Sequence, residues 1–124
     1  MWWKIPVGAV MTFVGWAALG TLILIAVRIM WPEYAAAEPT RAYNLAMMVM
    51  RLSVSSIALI GAAYISATAV RENRASPIAG ALLMLALNVP YHINIWDQYP
   101  AWYHLTFLVS IPVLALLGGR LVRT

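Results

Sequence analysis

The sequence predicts an all-α integral membrane protein, a four-transmembrane-helix bundle running up-down-up-down with short loops. Three observations predict it. Of the 124 residues, 64% are hydrophobic and 10% charged, against roughly half apolar and a quarter charged in a soluble domain. The apolar residues gather into four stretches, each close to or above the ~20 residues that cross a bilayer. All four carboxylates, Glu33, Glu38, Glu72 and Asp97, fall in the breaks between them. A soluble chain of this size cannot hide so much apolar surface, so lipid must cover part of it. A single domain over residues 1–124 is expected.

The first span is expected over 6–27. Pro6 suits the first helical turn, where its missing N–H costs nothing. Trp2 and Trp3 suit one headgroup layer and Trp31 the other. Met1 to Lys4, the apolar run and Ala35-Ala36-Ala37 loosely resemble a cleavable signal peptide. The run is too long for one, and Arg28 and Pro32 interrupt it, so a retained helix is expected. Pro32 to Thr40 reads as a loop. The second helix starts near Thr40 or Arg41, and its span covers 44–70. Counting back ~20 residues from Arg71 sets Arg51 near the far interface. Arg71 to Pro77 is a tight turn, with Ser76 as N-cap and Pro77 at the first helical position. The third span covers 77–96, with Pro90 expected to kink it or end it early. Asp97 to Pro100 turns the chain into the fourth span, 100–118, which Gly118-Gly119 closes.

With four spans both termini share a side, together with the second loop. That side carries Lys4, Arg71, Arg74, Arg120 and Arg123. The positive-inside rule then predicts cytoplasmic termini, in a membrane such as the bacterial inner membrane. The net charge of +4 implies no nucleic-acid face, because the basic residues stand singly at helix ends. With no cysteine in the chain, disulfides, thiolate metal sites, Fe–S clusters and thiol redox chemistry are excluded.

The residues able to carry chemistry gather at the end opposite the termini. His92 and His104 lie equally far from Gln98, the middle of the last turn, so they stand at one depth. Asn88 is one helical turn before His92 on the same face. Two imidazoles at one depth suggest a metal, with Asp97, Glu33 or Glu38 completing the set, since metal sites usually need three or four protein ligands. Haem fits less well, because a tight hairpin holds its two histidines too close to admit the macrocycle. The plainer reading is that both rings hydrogen-bond neighbours or water.

Arg51 shares a helical face with Asn44, Met48, Ser55, Ala58, Ala62 and Ser66. Small residues let helices approach closely, so this stripe is expected to face the bundle. Arg51 then points inward and seeks a carboxylate, Asp97 first. An ion pair that fixes packing is the plain reading; an anion or quinone-carbonyl contact is the functional one. Trp31, Tyr34, Tyr43, Tyr91, Trp96, Tyr99, Trp102 and Tyr103 read as an interfacial aromatic belt. Gly8, Thr12 and Gly15 read as a helix-packing seam.

The candidate ligand-binding residues are therefore Arg51, Asn88, Tyr91, His92, Trp96, Asp97, Tyr103 and His104, with His92 and His104 as metal ligands. No cofactor is required by the sequence; haem, a quinone or a divalent metal are those its residues would accept. The first functional expectation is a non-catalytic subunit, assembly factor or scaffold, whose partners are the bilayer and other membrane subunits or further copies of the chain. A small oligomeric transporter or channel is a second class, weakened by the lack of a carboxylate inside the spans. A quinone-, haem- or metal-handling protein using the His/Asp/Arg group is a third. An enzyme acting on lipid head groups is a fourth.

Overall fold

The computed structural model describes residues 1–123. The five helices are α1 (Lys4–Met30), α2 (Pro32–Ala37), α3 (Leu45–Val70), α4 (Ala75–Asn94) and α5 (Ala101–Arg120), with single 3-10 turns at Glu38–Thr40 and Trp96–Gln98. Four of them, α1, α3, α4 and α5, are long and apolar enough to cross a membrane. The chain is an all-α, four-span integral membrane protein running up-down-up-down.

The order around the bundle differs from the order along the chain. α1 packs against α3 and α4, and α5 packs against the same two. The consecutive spans α3 and α4 are thus diagonal partners, although only Arg71 to Arg74 joins them. Arg71 closes α3 in the left-handed region at φ 53°, which reverses the chain sharply. Two antiparallel hairpins, α1–α3 and α4–α5, stand face to face.

Small residues set the spacing at the end that carries the termini. Gly8 and Thr12 of α1 are buried there. The Gly8 carbonyl accepts Ser66 Oγ–H at 2.6 Å and Thr12 Oγ1–H at 2.9 Å. On α5, a side chain at Gly118 would run into the Ile60 carbonyl of α3, and one at Gly119 into Pro77 of α4. These two glycines therefore permit close packing, and the helix continues through them to Arg120 instead of ending there. The centre is a conventional apolar core of Leu59, Met84, Phe107 and Ile111 with Ala81 and Ala115.

Three local expectations are corrected. Ser76 is not the cap of α4: the Glu72 carboxylate takes the N–H groups of Arg74, Ala75 and Ser76, the last two at 2.8 and 2.9 Å. A carboxylate both accepts more strongly than a hydroxyl and complements the positive end of the helix. Burial opposes ionisation of Glu72, yet these N–H groups outweigh it and hold the carboxyl below its usual range. Ser76 is left free to bury itself against Gly8. Pro90 does not end α4, which runs on to Asn94 with the proline ring on the exterior. The first connection is not a plain loop, because Pro32 starts the short helix α2, and α3 begins only at Leu45 behind an Asn44 cap that accepts Met47 N–H at 2.9 Å.

Candidate functional site

The far end of the bundle is organised around Arg51, in the second turn of α3. Its side chain turns inward, and the stripe below it is buried at Ala58, Ala62 and Ser66, while Ile57 and Tyr64 face outward. Its partners are phenols. Nη1 donates to Tyr34 Oη at 2.7 Å and to Tyr43 Oη at 3.4 Å, and Nε donates to Tyr103 Oη at 3.3 Å. The guanidinium also lies over the Tyr43 ring, 4.9 Å from its centre, a favourable cation–π placement.

The expected pairing with Asp97 does not occur. Asp97 is exposed on its turn, and the ion pair found among the described residues joins Arg28 to Glu38. That pair is bidentate, at 2.6 and 2.9 Å, and it pins the segment carrying α2. Tyr34 Oη donates onward to Glu38 at 3.1 Å. Among the described residues, Arg51 is thus coupled to a carboxylate only through a phenol. The Arg28 hydrogen bond, against some burial, holds Glu38 below the usual carboxylate range. Burial pushes the phenols the other way: Tyr34 and Tyr99 are raised, and Tyr43 is pushed up to about 12, with Arg51 offsetting part of the shift in each. Tyr34 and Tyr43 thus remain neutral at physiological pH, and they solvate the Arg51 charge without cancelling it.

The same tyrosines close the end of the bundle. Tyr34 is fully buried. It stacks on Tyr43 at 5.5 Å, Tyr43 on Tyr99 at 6.1 Å, and Tyr99 on Tyr103 at 4.6 Å. A hydrogen bond from Arg41 to Gln98 ties the two connections together above them.

Beneath this lid lies a cavity of about 500 Å³. α1 contributes Phe13, Trp16, Ala17, Gly20, Thr21 and Leu24, while α3 contributes Arg51, Val54 and Ser55. α4 supplies Leu87, Asn88, Tyr91, His92 and the following Ile95, and Tyr99, Tyr103 and Phe107 complete the wall. α1 and α4 touch closely lower down, where Thr12 meets Gly80 and Gly8 meets Ser76. Higher up, Ala17 and Thr21 on α1 and Leu87 and Tyr91 on α4 are exposed at the cavity edge. The cavity therefore opens sideways between α1 and α4, on the apolar flank of the bundle.

The two histidines meet. His92 Nδ1 and His104 Nδ1 are 2.7 Å apart, and His104 Nε2 bonds the Trp96 carbonyl at 3.0 Å. The His104 ring stacks on Trp96 at 4.6 Å, and His92 stacks on Phe107 at 4.5 Å. His104 is wholly buried, whereas His92 lines the cavity. Three of their four ring nitrogens are engaged in these bonds. Among the described residues no group of three or more His, Asp or Glu side chains converges. The pair as arranged offers one nitrogen, at His92.

Of the residues singled out from the sequence, Arg51, Asn88, Tyr91, His92 and Tyr103 line the cavity, Trp96 and His104 stand behind it, and Asp97 lies apart. Sequence reasoning missed Tyr34, Tyr43 and Tyr99 as Arg51's setting, and the whole α1 wall. Ser55 gave the available signal for that wall: it follows Arg51 by one turn and accepts Trp16 Nε1–H at 3.0 Å. Comparison of the chain with protein-family models, with curated proteins and with solved structures finds no match.

Proposed function

We propose that this membrane protein binds a lipid-soluble molecule with a polar head, admitted from the bilayer through the gap between α1 and α4. One observation carries the reading: a cavity roofed by stacked tyrosines and open on an apolar flank holds a cationic side chain that, among the described residues, has no carboxylate against it. A charge placed within a span is costly and tends to be kept for function. A roof of tyrosine rings disfavours a water-soluble ligand, and a side gap favours one dissolved in lipid. The volume lies within the range of small-molecule pockets, roughly 300–1,000 Å³. This reading develops the quinone-handling alternative and replaces its Asp97 by the tyrosine set. A role as a subunit of a larger assembly is compatible with it.

The orientation belongs to the same proposal. Both termini are cytoplasmic and the cavity lies in the outer half of the membrane, as the Lys/Arg asymmetry implies. Because the chain has no cysteine, single cysteines at Glu38 and Glu72 report it directly. An impermeant reagent added to intact cells should label position 38 and spare position 72; the reverse pattern rejects the orientation.

The binding test is extraction of the purified protein with organic solvent, followed by mass spectrometry. A lipid-soluble species should be retained in near-stoichiometric amount by the native chain. It should be lost from Arg51→Leu and, as a variant that leaves the Arg51 hydrogen bonds intact, from Gly20→Trp, whose indole fills the cavity. Equal retention by both variants rejects the site.

A further inference from the structure

We infer that the cavity selects a head group with an O–H donor, of the quinol class, through an uncommitted imidazole nitrogen of His92; this rests on the cavity's being a site for a lipid-soluble ligand. The hydrogen bonds around the histidine pair fix both tautomers. A carbonyl only accepts, so the proton between His104 Nε2 and the Trp96 carbonyl belongs to the ring. His104 is fully buried and faces no carboxylate among the described residues, and as a neutral imidazole it carries one ring proton, here at Nε2. Its Nδ1 is then a lone pair. The 2.7 Å contact consequently requires the proton to sit on His92 Nδ1. A neutral His92 is left with a lone pair at Nε2. That atom has no hydrogen-bond partner among the described residues and is not sealed from its surroundings, and the residue lines the cavity.

Asn88 repeats the pattern one turn earlier. Its amide nitrogen donates to the Met84 carbonyl at 2.8 Å, which leaves Oδ1 as an uncommitted acceptor in the same wall. α4 therefore presents two uncommitted acceptors, His92 Nε2 and Asn88 Oδ1, beside the remaining Asn88 N–H and the Tyr91 hydroxyl. α3, its diagonal partner, presents donors. Arg51 Nη2 makes no hydrogen bond among the described residues, and Ser55 Oγ accepts from Trp16 and so keeps its own O–H free. Phe13, Trp16 and Phe107 line the space with aromatic rings. A flat head with an oxygen toward α3 and an O–H toward α4 satisfies both walls. A quinol has a hydroxyl at each end and does so. The oxidised quinone sets a carbonyl oxygen against the His92 lone pair, and an ionised fatty acid has no O–H to offer.

The test uses the full chain in lipid nanodiscs, titrated calorimetrically and without oxygen. The probes are a short-tailed benzoquinone, the same compound reduced to its quinol, and oleate. The quinol should bind roughly three- to tenfold more tightly than the quinone, the worth of one neutral hydrogen bond. His92→Phe should bring quinol affinity down to that of the quinone. Asn88→Leu leaves the imidazole pair alone and should narrow the preference, so it keeps the inference testable if the His92 variant does not fold. Equal or tighter binding of the quinone, or a preference that survives both variants, overturns the selectivity while leaving the cavity as a lipid-ligand site. If none of the three probes binds the native chain, the cavity reading itself fails and this inference falls with it.

Discussion

Arg51 could be placed from the sequence, but its partners could not. The small and polar residues at its helical spacing already turned it inward, and burial of Ala58, Ala62 and Ser66 agrees. The search for a carboxylate then led to Asp97, because a buried charge usually demands an opposite one. The fold meets the demand with three phenol oxygens and a ring face instead. Tyr34, the shortest of these contacts, comes from a segment whose pattern reads as loop, so nothing local aims it at α3. What holds that segment is the Arg28–Glu38 pair, and its contribution depends on pH. The folded-state carboxyl of Glu38 lies below its ordinary value of 4.5, so its stabilisation is complete above that value and is lost as pH falls through the lower folded one. The pair's own contribution, read in detergent as the melting-temperature difference between the native chain and Arg28→Ala, should therefore hold steady down to about pH 5 and shrink below it. Arg28→Ala should lower the plateau and shallow the acid drop; part of the drop should remain, because Glu72 is depressed too. An unchanged acid profile in Arg28→Ala would show that the pair does not stabilise the fold.

At the level of the helix, each of the four apolar stretches falls on one of the four long helices, since bilayer thickness leaves little choice of length. Helix ends were less legible, because two of the signals used for them have packing roles here. Gly118-Gly119 reads as a terminator, yet α5 continues because those glycines let it approach α3 and α4. Ser76-Pro77 reads as a cap, yet Glu72 captures the N–H groups first. The glycines can be ranked by what a side chain would meet. At Gly118 a Cβ would strike the Ile60 carbonyl, which belongs to a rigid helix backbone. Gly118→Val should cost about 1–3 kcal/mol through overpacking. At Gly20 the nearest atom to an added Cβ is Ala58 Cβ at 3.9 Å. Gly20→Ala should instead gain about 0.5–1 kcal/mol from the lower backbone entropy. Unfolding in a graded mixture of mild and denaturing detergent reads both, and equal effects at the two positions would refute the packing assigned to α5.

At the level of the molecule, the order of neighbours was not legible. A short turn between α3 and α4 suggests adjacency, but the two are diagonal, and the small-residue seams of α1 and α5 are what bring the hairpins face to face. The cavity follows from that order. Close contact at Gly8, Thr12 and Gly80 holds α1 and α4 together at one end, while Ala17, Gly20 and Thr21 leave room between them at the other. The proposed role depends on this space being open to lipid and shut to water. A nitroxide on Ser55→Cys tests that most directly, since Ser55 sits on the back wall and the chain has no other cysteine. The measurement is its collision rate, in bilayers, with oxygen, which partitions into lipid, and with a water-soluble nickel chelate. The expected result is ready collision with oxygen, almost none with the chelate, and a fall in the oxygen rate when Gly20→Trp fills the gap. Collision with the chelate at the rate of a label at the exposed Arg74, or with neither agent, would contradict a cavity that opens to the membrane.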